Sequence, residues 1–220
     1  MDHPPSLLDL VQRHDSSEQH AAMHWEGSFR DYLTLAEKNP AVARNAWQRL
    51  LDMIEFHGYE QAAKRGAAPR WRLFDDPFDR GRDAVFGLDE ALNQLVQGFR
   101  AGAQALGPEK RVILLHGPVG SAKSTIARLL KRGLEAYSRS DAGALYTFSW
   151  EIDGEVVPSP MNQEPLLLVP LEARPEIERR LNKNLKRSYK IELAGDLDPV
   201  SRLYYRILSQ RYHGDWSKVI

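Results

Sequence analysis

An α/β fold built on a parallel sheet follows from two observations. In the first, the apolar run Val112-Ile113-Leu114-Leu115 passes through Gly117-Pro118-Val119-Gly120-Ser121-Ala122-Lys123-Ser124-Thr125 into Ile126, Leu129, Leu130 and Leu134 at helical spacing. Strand, loop and helix in that order make a phosphate-binding loop. Small residues let backbone N–H groups curl around an oxyanion, and the helix N-terminus adds partial positive charge. In the second, a strong helical pattern precedes this unit and two more strand candidates follow it, so helices and strands alternate along the chain.

The loop chemistry points to ATP with Mg²⁺. Lys123 reaches the outer phosphates, and the Ser124 hydroxyl is placed to hold the metal, which bridges phosphates and neutralises charge. Ala122 stands where such loops carry glycine. Its methyl group fits if the backbone is right-handed helical and not if φ is positive. We expect the former, so Ala122→Gly should change affinity only slightly. The competing reading is a tight strand-to-helix turn with an incidental lysine.

Bulk composition narrows the rest. With 220 residues and 42% apolar content the chain can bury a sizeable core. Thirty basic and thirty acidic side chains cancel, so no overall field attracts nucleic acid or an anionic membrane. The absence of cysteine excludes disulfides, thiolate metal sites and cysteine nucleophiles. No apolar run is long enough to span a membrane and no leader pattern opens the chain, which suggests a cytoplasmic protein.

Residues 1–27 read as a mobile polar segment with at most a short amphipathic helix. His20 and His24 share a helical spacing without a third ligand in view, so a solvated face is favoured over a metal. Ser28 and Asp31 form a cap signature before Phe29, Tyr32, Leu33 and Ala36. Asn39 and Pro40 should open a second helix with the stripe Trp47, Leu50, Leu51 and Ile54, ended by Gly58. Trp71, Leu73, Phe74 and Phe78 anchor a connector, so 28–84 is a helical extension ahead of a nucleotide domain at 85–220.

Val85-Phe86-Gly87-Leu88 leads into the strongest helix, with Leu92, Leu95, Val96, Phe99 and Ala103 on one side and Gly107-Pro108 as its stop. Beyond the loop helix, Leu145–Trp150 and Leu166–Val169 are strand candidates, and Asp153-Gly154 marks a hairpin turn. Pro175 starts a charged helix whose seven basic residues between Arg174 and Lys190 suit a solvated face better than a nucleic-acid face. Asp198 and Pro199 open a last helix with Val200, Leu203, Tyr204, Ile207 and Leu208, closed by Gly214.

Several ordered blocks then carry a resemblance. They are Phe29-Arg30-Asp31-Tyr32-Leu33, Gln48-Arg49-Leu50 with Asp52-Met53-Ile54, Val85-Phe86-Gly87-Leu88-Asp89, the phosphate loop, Gly143-Ala144-Leu145-Tyr146, Glu164-Pro165-Leu166 and Gly195-Asp196-Leu197. The chain resembles the N-terminal ATPase region of the PrkA family of serine protein kinases, which have an AAA+ type P-loop NTPase domain. That resemblance implies an adenine site beside Phe86 and Gly87. The family commonly has cysteines flanking the proline near position 199, where this chain has Asp198 and Ser201.

A second acidic motif, needed to fix Mg²⁺ and orient water, is not evident. After Leu166-Leu167-Leu168-Val169 comes Pro170, and Glu172 reads as a surface residue. The domain therefore looks truncated before that motif, and the chain should bind ATP with little hydrolysis. Three functions stay open: the ATP-binding domain of a PrkA-like serine kinase, part of an ATP-driven remodelling motor that self-associates into oligomers, or a regulatory module that binds nucleotide without turnover. The protein substrate is not legible.

Overall fold

A computed structural model describes residues 24–62 and 66–220. His20 and most of the polar N-terminal segment lie outside the described residues. Helix α1 (Phe29–Lys38) starts at the expected capping box, in which Asp31 N–H donates to Ser28 Oγ at 3.2 Å and Ser28 N–H donates to Asp31 Oδ2 at 2.9 Å. Pro40 starts only a 3₁₀ turn (Pro40–Ala43), because Arg44 is extended and breaks the helical path. Helix α2 (Ala46–His57) begins instead at Asn45, which forms a second capping box with Gln48.

Helix α2 buries Leu51, Met53 and Ile54 against α3 (Asp89–Ala103) and α4 (Lys123–Tyr137). Two glycines permit this approach. A Cβ at Gly102 would run into the ring of Trp47, and one at Gly133 would meet Met53 Sδ at 2.6 Å. Between α2 and α3 the two-residue strands β1 (Tyr59–Glu60) and β2 (Arg70–Trp71) pair antiparallel, and Leu73 and Phe74 turn into the same core. One hydrophobic cluster thus runs from Tyr32 to Leu193.

The parallel sheet is not present among the described residues. Val112–Leu115 is irregular, with Val112 92% and Leu114 81% exposed. A strand buried on both faces needs a ladder on each side. Here the other expected strands are spent elsewhere. Only the end of Leu145–Trp150 is regular, as β3 (Ser149–Ile152), which pairs antiparallel with β4 (Glu155–Pro158). Their turn is the expected one: Asp153 (φ 54°) and Gly154 (φ 84°) both take positive φ, as a two-residue hairpin requires. Leu166–Val169 is not a strand either. Pro165 presets a helical φ and the Glu164 carboxylate accepts from Leu166 N–H at 3.4 Å, which gives a 3₁₀ turn over Pro165–Leu168.

Helix α5 (Arg174–Asn184) starts one residue ahead of Pro175, α6 (Pro199–Arg211) starts at the expected proline, and α7 (Trp216–Val219) follows. Asp198 accepts from Val200 N–H at 2.9 Å and Ser201 N–H at 3.1 Å. The residues at the two departures from the family pattern therefore build a helix cap. Tyr204 and Leu208 pack with Trp150, Leu168 and Val219, whereas Val200, Leu203 and Ile207 stay exposed, so only part of the expected stripe is core.

Buried guanidinium groups hold the irregular segments. Arg174 donates to the carbonyls of Val169, Leu193, Gly195 and Leu167 at 2.7–3.2 Å. Arg49 donates to Gly143 O at 2.7 Å, and a Cβ at Gly143 would overlap the Tyr137 carbonyl. Arg44 bridges Asp52 (2.5 Å), Tyr137 (2.9 Å) and Ala142 O (2.6 Å). Removing the donor while its acceptors stay buried costs about 3–5 kcal/mol. Arg174→Met should therefore lower stability by that order in urea unfolding, and a loss under about 1 kcal/mol would contradict the role given to it.

Glu164 accepts a short hydrogen bond from Tyr32. Burial pushes its carboxyl up to about 7 from 4.5, against the opposing pull of Tyr32, Leu166 N–H and Arg49. A raised folded pKa means that the folded state holds the proton more tightly. The contribution is full below pH 4.5 and lost as pH rises through about 7, an effect on the order of 1–3 kcal/mol. Burial of His57 acts in the opposite sense, by lowering its pKa. Comparison of wild type with Glu164→Gln cancels the His57 part. The variant should lack the loss of stability between pH 5 and 7.5, and parallel pH profiles would contradict the assignment.

Candidate nucleotide site

Helix α4 begins at Lys123 with Ala122 as its N-cap, and no side chain caps it. The first helical bond comes from Ile126 N–H to Ala122 O at 2.8 Å. Lys123, Ser124 and Thr125 N–H groups are therefore left without a backbone acceptor, on the positive end of the helix. That donor set fits a phosphate oxyanion. Ser124 is exposed, and the Thr125 hydroxyl accepts from Arg128 at 3.3 Å.

The loop ahead of the helix is closed on its own lysine. Lys123 Nζ donates to Gly117 O at 2.9 Å, Pro118 O at 2.6 Å and Ser121 Oγ at 2.9 Å, which occupies all its N–H donors. Gly117 lets Ser121 come this close, since a Cβ there would lie 2.7 Å from Ser121 Oγ. Gly120 takes φ 82° in the turn, and Val119 stands fully in solvent at its tip. Any anion entering the loop would have to share or displace these contacts, and the ammonium is aimed at the loop interior.

The expectation for Ala122 is overturned. Its backbone is left-handed, at φ 57° and ψ 10°, because the chain must reverse sharply between the lysine-bonded carbonyls and the helix start. Its methyl group packs on the core cluster, which offsets part of the strain. Glycine would adopt this conformation freely, whereas an L-residue loses about 1–2 kcal/mol there.

Phe86 and Gly87 lie just before α3. Phe86 is 72% exposed, and Gly87 takes φ 74°. The segment carrying them is pinned to α4: Asp83 pairs with Arg128 at 3.0 Å and with Arg132 at 3.4 Å. Sequence reasoning passed over Asp83 and Arg128, although Arg128 lies one turn beyond Ser124. Glu172 is exposed, as expected. No group of three or more His, Cys, Asp or Glu side chains able to hold a metal occurs among the described residues. A cleft of about 1330 Å³ between Trp25, Tyr146, Phe148, Leu208 and Val219 contains none of residues 117–125 in its lining. No helix among the described residues is long and apolar enough to cross a membrane.

The family described as the PrkA AAA domain matches residues 27–220. A Bacillus subtilis protein named ATP-dependent protease PrkA is 35% identical over 89% of this chain and 27% of its own length. The Escherichia coli K12 protein named serine/threonine kinase YeaG is 29% identical over 70% of this chain and 23% of its own length. The chain thus spans about a quarter of each of these two relatives. A Geobacillus stearothermophilus protein described as uncharacterized is 32% identical over 48% of this chain and 98% of its own. No solved structure matches.

Ala122→Gly should stabilise the protein by about 1 kcal/mol, read as a higher urea midpoint at unchanged slope. A lower midpoint would show that the methyl packing outweighs the strain.

Proposed function

The chain belongs to the PrkA AAA domain family, and from that premise we propose that residues 117–125 seat the phosphates of ATP. An AAA domain implies the P-loop NTPase fold. The observation that carries the reading is the uncapped start of α4, whose free N–H groups sit beside Lys123 and Ser124. Backbone donors take the phosphate oxygens, Lys123 adds a point charge, and the Ser124 hydroxyl ligates Mg²⁺. The metal, when bound, neutralises charge on the phosphates. Phe86 and Gly87 contribute the adenine side.

Val112–Leu115 is read as the strand of a parallel sheet whose neighbours are supplied from outside these residues. Its exposure supports this, since apolar side chains in solvent gain burial only when flanking strands arrive. With one hydroxyl offered to the metal and no carboxylate assigned to the attacking water, ground state and transition state are held nearly alike. The domain is a binder first, and its parent puts the bound nucleotide to work.

The parent's reaction is read as phosphoryl transfer to protein serine, as in the relative named a serine/threonine kinase. The name ATP-dependent protease on the 35% relative favours a second reading, ATP-driven work on a protein substrate. Transfer of labelled phosphate to serine separates the two.

Lys123→Ala should weaken binding of a fluorescent ATP analogue at least about tenfold with an unchanged circular dichroism spectrum. Undiminished affinity in the folded variant would remove the phosphate assignment. The 220-residue chain should release phosphate well below about 1 s⁻¹ at saturating Mg·ATP. Faster release, absent in Lys123→Ala, would show that an acid completes the site.

A further inference from the structure

We propose that Arg70 is a positioning residue that holds the Phe86 ring as a stacking platform for a purine base, an inference that rests on the ATP reading above. An exposed phenylalanine normally gives up burial and rotates freely. Phe86, at 72% exposure, is held from one side: the Arg70 guanidinium carbon lies 5.0 Å from its ring centroid. Arg70 is itself fixed. It pairs with Asp75 and lies 4.0 Å from Asp89, the first residue of α3, and its backbone belongs to β2 opposite Glu60.

Two carboxylates thus fix a cation, the cation fixes a ring, and the free face of the ring meets solvent. The backbone next to the ring is uncrowded too, since a Cβ built on Gly87 would meet nothing within 4 Å apart from its chain neighbours. Gly87 also has φ 74°, where any side chain would be strained. The platform is connected to the phosphate seat. Asp83, three residues before Phe86, pairs with Arg128, and Arg128 reaches the Thr125 hydroxyl.

A flat, electron-rich ligand uses such a face. Offset stacking needs a ring that does not turn away, and every purine offers a π-face wider than phenyl. Arg70 then adds affinity without touching the base, by removing the freedom the ring would otherwise lose on binding. Pyrimidines stack less area on the same ring, so the platform favours ATP over CTP.

Calorimetric titration of the full chain with Mg·ATP and with Mg·tripolyphosphate, which lacks base and sugar, tests this. Phe86→Ala and Arg70→Ala should each weaken ATP about tenfold and leave tripolyphosphate within about twofold. Phe86→Trp should restore ATP affinity, and the double alanine variant should be no weaker than Phe86→Ala alone. Arg70→Ala with undiminished ATP affinity, or with equal losses for both ligands, would overturn the role of Arg70. Wild-type protein that holds tripolyphosphate as tightly as ATP would overturn the platform while leaving the phosphate seat intact. Wild type that holds neither would overturn both.

Discussion

Carbonyl groups buried in irregular chain need donors, and three arginines supply them. Where a sheet would satisfy residues 167–195 through its ladder, Arg174 accepts the task with bonds to four carbonyls. Arg49 and Arg44 do the same for residues 142–144, which follow the loop helix. Arg44 also ties Asp52 on α2 to Tyr137 at the end of α4, and Tyr189 donates to the same carboxylate at 2.7 Å. Each charge is paired or hydrogen-bonded, which is the condition for burying it at all.

That frame determines what α4 can do. Its far end is locked by Tyr137, its middle by Gly133 against Met53 and Leu73, and its outer side by Asp83 to Arg128 and Arg132. The backbone N–H groups of Lys123, Ser124 and Thr125 in its first turn are left without a backbone acceptor. A rigid helix that presents unsatisfied N–H groups beside a lysine is organised for an anion before the anion arrives, so little ordering remains to be done on binding. The strain at Ala122 sits at this same turn and is tolerated because the rest of the helix is over-determined.

Local signals were legible in the sequence and non-local ones were not. The capping box at Ser28, the cap at Asp198, the turn at Asp153-Gly154 and the helix after the loop are set by neighbours within a few residues. Val112–Leu115 shows the other case. Its composition suits a buried strand, but a strand exists only with a partner, and pairing is decided far along the chain. Ala122 was misjudged for a related reason. Which backbone region it takes follows from the contacts of Lys123 with Gly117 and Pro118, which sequence spacing does not reveal. The blocks that carry the family resemblance turn out to meet one another: Arg49 with Gly143, Tyr32 with Glu164 and Tyr146. Most of that resemblance therefore records a scaffold around the loop and the Phe86 segment.

The account stands on the start of α4 being the phosphate seat. Backbone amide shifts of the ¹⁵N-labelled chain, followed on addition of Mg·ATP, test this most directly. The largest changes should fall on Gly120, Ala122, Lys123, Ser124 and Thr125, with a smaller set at Phe86 and Gly87. Saturable changes that cluster instead around the cleft at Tyr146 and Leu208, with Lys123–Thr125 unmoved, would contradict it.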